Sequence, residues 1–292
     1  MELSKRGIIS NFDRKRPSVK FSYVVCYVVA IGVAISTLYP LLWVCFGSLK
    51  EAKEIFYVPP TLLPRTFLWE NYLRAWQFYA IPKVFRNTLV IYAGFVGVRL
   101  LSLSAAAYAL AHMRLPCRRG IYMLFLATLM LPFFAYLIPS YLIIFRLGLL
   151  DSFWAVCLPA GADSYSLLLL KNYFDGIPGE IFESARIDGA SELLVLRKIV
   201  LPLAKPIIAV LGIFAFIHVW RDFVWQRIVL PSAHKWTVSI ALWYHSLGNQ
   251  GAVLPQNVQL AAMLISTLPP MIIFLIFQRY IIEGVSFTGL KG

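Results

Sequence analysis

Long apolar stretches alternate with shorter polar ones along the whole of this 292-residue chain. A helix needs about 20 apolar residues to cross the hydrocarbon core of a bilayer. Six stretches reach that length and therefore predict an all-α polytopic membrane protein with six transmembrane helices. The predicted spans are residues 21–49, 87–113, 121–145, 152–170, 202–230 and 258–277.

Composition supports a membrane protein and changes how the charge is interpreted. The chain is 60% hydrophobic and 14% charged, whereas a soluble domain is about half apolar and about a quarter charged. In a soluble protein the net charge of +13 would indicate nucleic-acid binding, but in a membrane protein Lys and Arg accumulate in cytoplasmic loops. We expect membrane lipid as a partner and no nucleic acid. The four cysteines are scattered, and neither a disulfide framework nor a metal site is predicted.

The distribution of charge predicts the orientation in the bacterial cytoplasmic (inner) membrane. An even number of spans places both termini on one side. Of the 27 Lys and Arg residues, 16 lie in residues 1–20, 113–119, 171–205 and 278–292, which favours a cytoplasmic location for both termini. The predicted organisation is a cytoplasmic segment 1–20, a permease domain 21–283 that includes the loop 171–204, and a cytoplasmic tail 284–292.

The polar segment between the fourth and fifth predicted spans has the signals of two short helices joined by a bend. Pro178 suits the first turn of a helix, where its missing N–H costs nothing. Gly189 suits the left-handed position that ends a helix, and Ser191 can cap the next one. A helix–turn–helix exposed at the membrane face predicts a docking element for a soluble partner.

This segment also resembles a known signature. Glu183-Ser-Ala-x-x-Asp-Gly189, followed by Ile199, Leu201 and Pro202, resembles the loop of ABC-importer permeases that reads Glu-Ala-Ala, Gly and Ile-x-Leu-Pro, with a serine here in place of the middle alanine. The form is closest to the carbohydrate-uptake branch, typified by the shorter permease of maltose importers. Residues 278–292 resemble the C-terminus of that branch, and the resemblance extends over residues 87–292.

The resemblance implies the type I importer permease fold and a heteromeric complex. The expected partners are a second permease, two cytoplasmic ATPases and an extracytoplasmic solute-binding protein. It also implies three contact regions on this chain. The residues that couple to the ATPase would be Glu183, Ser184, Ala185, Asp188, Gly189, Ile199, Leu201 and Pro202. The tail residues that contact the ATPase pair would be Gly284, Gly289 and Lys291. The outer-loop residues that contact the binding protein would be Tyr244, Gly248, Asn249, Gln250 and Gly251.

No cofactor is expected on this chain, and it is not expected to be an enzyme. The Gly-x-x-x-x-Gly-Lys-[Ser/Thr] pattern of a Walker loop is absent from the sequence. ATP and Mg would therefore be bound by the partner ATPases. No spacing of His, Asp or Ser in the sequence indicates a metal site or a catalytic constellation.

Charged residues within spans are costly and commonly face a bundle interior or a water-filled path. The in-span charges therefore predict a substrate path. Aromatic side chains whose rings could stack on sugars are predicted to line it as well. The predicted path residues are Arg99, Asp163, Tyr165, Trp220, Arg221, Asp222 and Trp225. The alternative for the charges is a structural ion pair, with Arg99 or Arg221 bound to Asp163. For any single aromatic residue, lipid or core packing is an equal alternative.

The substrate is predicted from the charge of the same residues. Arg99, Arg221 and Arg227 outnumber the two in-span acids, which favours an acidic oligosaccharide such as a uronate derived from alginate or pectin. A neutral oligosaccharide or polyol is the alternative within the same family. An ion-coupled secondary transporter is a further alternative, because Asp163 or Asp222 could serve it, although such a protein has no use for the coupling loop. A membrane scaffold does not account for the in-span charges.

Overall fold

The computed structural model describes residues 17–246 and 254–286, and every regular element within them is helical. The predicted all-α class is confirmed. The helices are α1 (Pro17–Ser48), α2 (Glu70–Phe78), α3 (Ile81–His112), α4 (Arg118–Thr128), α5 (Phe133–Arg146), α6 (Trp154–Cys157), α7 (Ser164–Asp175), α8 (Gly179–Ile187), α9 (Glu192–Val195), α10 (Leu201–Leu203), α11 (Lys205–Arg221), α12 (Val224–Val229), α13 (Val238–Ser246) and α14 (Gln256–Ser286).

Three of these helices are long and apolar enough to cross a membrane alone. They cover Val19–Ser48, Ile81–His112 and Gln256–Gln278. Two further pairs reach the length only together, because α4 and α5 meet at 107° and Glu192–Leu203 meets α11 at 79°. Length and composition thus give from three to five spans in the described residues, and the count of six stays a prediction.

The predicted fourth span, residues 152–170, is not one helix. α6 ends at Cys157, a 3-10 turn covers Leu158–Ala162, and Asp163 then caps α7. The Asp163 carboxylate accepts a hydrogen bond from the Ser166 amide at 3.0 Å. Such a cap satisfies one of the amide groups that the start of a helix leaves unpaired, so a single acid ends an apolar run that hydropathy reads as continuous.

Proline and a second capping acid explain the other interruptions. Pro132 immediately precedes α5 in an extended conformation, and prolines stand within α10 and the first turn of α11. Proline removes a helical hydrogen bond and clashes with the preceding turn, which favours a bend. The predicted fifth span, residues 202–230, also contains two helices, because Asp222 ends α11 and its carboxylate accepts from the Trp225 amide of α12 at 3.2 Å.

Residues 1–72 and 255–264 form one compact unit. In its described part α1 exposes apolar side chains along most of its length, as expected for a helix that contacts lipid or another subunit. A buried polar network follows α1. The Asn71 side-chain amide donates to the carbonyls of Ser48 (2.8 Å) and Lys50 (3.1 Å), and the Asn257 amide donates to the same Lys50 carbonyl at 3.0 Å. This network satisfies the backbone where α1 ends.

Residues 73–254 and 265–292 form the second unit, which contains the coupling loop. α3 contributes to both of its apolar clusters. One cluster joins Leu103 of α3 to Phe182 and Val200 of the loop, and the other joins Phe95 of α3 to Trp225 of α12. α3 therefore connects the coupling loop to the part of the unit that contains the in-span charges, as does α11, which contributes Leu211 to the first cluster and Ala215 to the second.

A polar clasp holds the turn before α6 to the segment before α13. Asp151 adopts a left-handed conformation (φ 56°), and its carboxylate accepts from the Ser232 hydroxyl at 2.7 Å and the Lys235 ammonium at 3.1 Å. Burial alone would raise the pKa of Asp151, but the hydrogen bonds from Ser232 and Lys235 outweigh that effect and lower it. The clasp thus favours an ionised Asp151 at neutral pH.

Candidate coupling loop and translocation path

The backbone of the coupling loop, residues 171–204, has the glycine turn and the helix cap that the sequence predicts. Gly189 follows α8 with φ 79°, in the left-handed region, and the Ser191 hydroxyl accepts from the Leu194 amide at 3.4 Å as the cap of α9. Pro178 lies one residue earlier than predicted, at the N-cap of α8 rather than in its first turn. The two helices and the bend between them are therefore confirmed.

α8 has two different faces. Phe182 and Ala185 are buried in the apolar cluster, whereas Glu183, Ser184 and Asp188 are exposed. The Glu183 carboxylate has no hydrogen-bond or ion-pair partner among the residues that the structure describes. Next to it, the Ile187 side chain is 86% exposed. An unpaired acid beside an exposed apolar side chain is a surface suited to a protein partner with a cation and an apolar recess.

The second half of the motif lies where the loop re-enters the bundle. Ile199 and Leu201 pack against the same apolar cluster as Phe182, and Pro202 lies in α10 just before the 79° bend. A π-helical turn covers Leu196–Val200 between α9 and α10. The Ile-x-Leu-Pro segment thus contributes packing and a change of direction, while the Glu183 half contributes the exposed surface.

Sequence reasoning missed the side chains that hold the loop in place. The ring of His112, at the end of α3, stacks on Phe182 with ring centres 3.9 Å apart. Glu192 accepts hydrogen bonds from the hydroxyl of Tyr108 and from the Nε of Arg186, the latter at 3.0 Å. The spacing of Tyr108 and His112, four residues apart on one face of α3, was the available signal.

One of the in-span arginines, Arg99, forms an ion pair with Asp163. Arg99 is 7% exposed, and its guanidinium lies 3.4 Å from the Asp163 carboxylate and over the Phe95 ring at 4.7 Å. The Arg99 Nε has no partner in the described part of the chain. The structural ion pair, one of the two alternatives from sequence, is therefore present for Arg99, and a role in the path stays a prediction for both residues.

Within the described residues, Arg221 forms no ion pair with Asp222 or with Asp163. Arg221 is exposed at the end of α11, whereas the Asp222 carboxylate accepts from the Trp225 amide in the first turn of α12. His218, which sequence reasoning did not select, stacks on Phe95 at 5.4 Å and lies close enough to Asp222, Arg99 and Asp163 to interact with their charges. Arg99, Asp163, His218 and Asp222 thus form one charged neighbourhood. Arg221 precedes Asp222 in sequence, at the exposed end of α11.

The predicted aromatic residues divide into buried and exposed ones. Trp220 and Trp225 are buried, and their indole N–H groups donate to the carbonyls of Ser266 (3.0 Å) and Ala155 (3.1 Å). Tyr165 is about half exposed and remains accessible in the single chain. Both tryptophans have a packing role, and Tyr165 is the predicted aromatic residue with a free ring surface.

The remaining predicted contacts fall largely on parts of the chain that the structure does not describe. Tyr244 packs against Trp236 with ring centres 4.4 Å apart, just before the outer loop. Gly284 lies in the last turns of α14. The other predicted contact residues lie outside the described residues: Gly248, Asn249, Gln250, Gly251, Gly289 and Lys291.

The interrupted apolar helices and the two-helix loop with one exposed face define the class of this protein, an all-helical integral membrane component of a transport system. The chain belongs to the family described as binding-protein-dependent transport system inner membrane component, whose model matches residues 99–287. The matched range includes the coupling loop and the charged neighbourhood around Arg99, and it confirms the resemblance to ABC-importer permeases.

Two relatives and one solved structure are similar to this chain over nearly its whole length. Protein LplC of Bacillus subtilis (strain 168) is 31% identical over 92% of this chain and 94% of its own length. The sn-glycerol-3-phosphate transport system permease protein UgpE of Yersinia enterocolitica is 30% identical over 90% of this chain and 95% of its own. A bacterial ABC transporter involved in the import of the acidic polysaccharide alginate contains a chain that superposes with a TM-score of 0.79 at 24% identity, over 94% of this chain and 99% of that one.

Family membership establishes several of the sequence-based predictions. The chain is a multi-pass, inner-membrane permease subunit of an ABC importer and a transport component rather than an enzyme. The family implies a complex with ATPase and solute-binding protein partners. It decides against an ion-coupled secondary transporter.

Proposed function

We propose that this chain is one of two permeases of an ATP-driven importer that moves an oligosaccharide delivered by an extracytoplasmic solute-binding protein. Two cytoplasmic ATPases bind ATP and Mg, and this chain binds no cofactor. Both termini are cytoplasmic, as the positive charge of the inner segments supports. The tail from Gly284 contacts the ATPase pair, and the outer loop that follows Tyr244 contacts the binding protein.

The observation that carries this proposal is the two-faced α8. Its buried face, with Phe182 and Ala185, is fixed to the bundle, and its exposed face presents the Glu183 carboxylate without a partner in the described residues. Glu183 accepts a charge-assisted hydrogen bond from a basic residue of the ATPase. Closure of the ATPase dimer moves α8 and thereby tilts the spans between inward-open and outward-open states.

Glu183→Ala tests the docking role. The change removes one charge-assisted hydrogen bond, worth about 1.5–3 kcal/mol, from an exposed position that contributes little to folding. We expect stimulation of ATP hydrolysis by the binding protein to fall about tenfold or more, while the amount of folded permease in the membrane stays unchanged. The measurement is the ATPase activity of the complex, purified through a tag on this chain, with and without binding protein.

The matched control is Glu180→Ala, because Glu180 is an exposed acid of the same helix, one turn away from Glu183. It should keep full stimulation. Stimulation at the wild-type level in Glu183→Ala, or an equal loss in both variants, would contradict a specific role for Glu183.

For the substrate we propose an acidic oligosaccharide. Arg99 is neutralised by Asp163, so the proposal depends on Arg221, which is exposed and has no ion-pair partner among the described residues. Two related systems support it by their descriptions, since one transports sn-glycerol-3-phosphate and the other imports alginate, and both substrates are anionic. The Arg99–Asp163 pair favours the alternative, a neutral oligosaccharide or polyol, because it leaves the path with less positive charge.

Arg221→Gln separates the two substrate classes. If the path conducts a polyanion, uptake of an oligouronate should fall about tenfold, as expected for the loss of one charge-assisted contact, and the wild-type rate should decline with added salt. Assembly and basal ATPase activity should not change. Uptake into proteoliposomes is measured for an oligouronate and for a neutral oligosaccharide of equal length.

Arg146→Gln is the control, since Arg146 is an exposed arginine at the end of α5, a helix that contributes none of the in-span charges around Arg99. Equal uptake of the oligouronate by wild type and Arg221→Gln would overturn the acidic assignment. If the wild-type complex takes up the neutral oligosaccharide and does not take up the oligouronate, the neutral substrate class is established.

A further inference from the structure

The loop that presents Glu183 is tied to α3 through the carboxylate of Glu192. Glu192 opens α9, and its two oxygens accept from different elements: the Tyr108 hydroxyl of α3 and the Arg186 Nε of α8, the latter at 3.0 Å. Arg186 also donates from Nη2 to the His112 carbonyl at 3.3 Å. One carboxylate and one guanidinium thus join α3, α8 and α9 by charge-assisted hydrogen bonds, which are shorter and stronger than neutral ones.

An aromatic stack lies beside these hydrogen bonds. The rings of His112 and Phe182 are 28° from parallel, with centres 3.9 Å apart, and Phe182 is buried. The His112 Nε2 lies 2.9 Å from the Phe174 carbonyl of α7. Because a carbonyl oxygen only accepts, the imidazole must donate from Nε2, which fixes its ring plane against Phe182. The end of α3 is therefore held to α7 and α8 at once.

These contacts matter because the helical backbone is broken on either side of α8. Residues 176–178 separate α8 from α7, and the 79° bend separates the end of the loop from α11. If α8 were joined to the bundle by its backbone alone, a force applied at Glu183 would rotate it about these two breaks without moving the bundle. Side chains that hold α8 to a long helix prevent that rotation and convert the force into displacement of the helix.

We propose that Tyr108, Arg186, Glu192 and His112 form a joint that makes α8 and α3 move as one body, so that nucleotide-driven motion of the coupling helix reaches the charged neighbourhood through α3. Arg99 lies nine residues from Tyr108 along α3, about 14 Å at the rise of an α-helix. The four are positioning residues: they contact neither nucleotide nor substrate. The inference rests on the proposed docking of an ATPase at Glu183.

The joint is tested with two variants, of which the first removes one of the hydrogen bonds to Glu192 and the second removes both. Tyr108→Phe keeps the ring and deletes only the hydroxyl, and Glu192→Ala deletes a carboxylate whose side chain is 40% exposed, so neither opens a cavity. The complex is purified through a tag on this chain, and ATPase activity is measured with and without the binding protein as isolated from cells. We expect stimulation to fall about tenfold in each variant, with basal activity and subunit composition unchanged.

The double variant decides whether the two side chains act together. If they form one joint, Tyr108→Phe combined with Glu192→Ala loses about as much stimulation as either change alone. The matched control is Glu180→Ala, which removes an exposed carboxylate at the start of α8. That variant should retain wild-type stimulation, because Glu180 forms no hydrogen bond or ion pair with the four joint residues in the described part of the chain.

Each alternative outcome has a distinct meaning. Wild-type stimulation in both single variants overturns the joint and leaves the docking role of Glu183 intact. Loss of subunits from both variants overturns it in favour of a purely structural role, and an equal loss of stimulation in Glu180→Ala also contradicts it. A wild-type complex that contains no ATPase contradicts the proposed function itself.

Discussion

Gly189→Val is expected to abolish coupling between ATP hydrolysis and transport while the spans stay folded. Gly189 has φ 79°, which a β-branched residue adopts only at a cost of about 1–3 kcal/mol. A Cβ added at this position meets no atom within 4 Å, so backbone conformation rather than crowding is the cause of the effect. The strain is relieved if the turn opens, which moves α8 relative to α9.

The glycine itself offers a sharp set of controls. Gly189→Asn should retain most of the coupling, because Asn tolerates the left-handed region better than other residues. Gly179→Val tests the added side chain alone, since a Cβ there also meets nothing within 4 Å and its φ is not positive. The measurement is uptake and binding-protein-stimulated ATPase activity in the same preparation. Equal activity of Gly189→Val and Gly189→Asn would show that the turn is not the sensitive element.

The parts of the fold that sequence predicted well are those set by local rules. A left-handed Gly189 and a capping Ser191 depend on backbone preferences within a few residues, and both are present in the loop. Hydropathy also located the long helices α1, α3 and α14. An uninterrupted apolar run in a bilayer must satisfy its backbone hydrogen bonds within itself, and a helix does so.

Interrupted spans were not predictable from hydropathy. A single Asp163 divides residues 152–170, and Asp222 divides residues 202–230, because each carboxylate accepts a hydrogen bond from an amide in the first turn of the next helix. Averaged over a window of about 20 residues, one acid changes the hydropathy little, yet it offers the hydrogen bond that makes a new helix start favourable. In-span acids were interpreted as candidates for the path or for ion pairs, and their capping role was missed.

Contacts between distant segments were missed as well. Phe182 and His112 are 70 residues apart, and the pairing of Tyr108 with Glu192 spans 84. A single sequence indicates which residues share a helix face, but not which helix that face meets. The contacts between α3 and the coupling loop are therefore a finding of the structure, whereas the exposed Glu183 followed from the motif.

Asp163→Asn is expected to destabilise the permease strongly, because it removes the counter-charge of the buried Arg99. The two groups are 3.4 Å apart, and Arg99 is 7% exposed. Stranding a buried charge costs about 3–5 kcal/mol. Asparagine is as good a helix cap as aspartate, so α7 keeps its start and the substitution isolates the ion pair. The measurement is the yield of assembled complex together with its thermal unfolding midpoint.

The second change tells whether the pair is structural. Arg99→Gln combined with Asp163→Asn removes both charges and should recover most of the lost stability. Asp175→Asn provides a surface comparison, because it breaks an exposed pair worth about 0.5 kcal/mol or less. If the double variant assembles but no longer transports, the pair also acts on the path. If Asp163→Asn is as stable as wild type, the Arg99–Asp163 pair does not support the fold, and the structural alternative for these two charges is wrong.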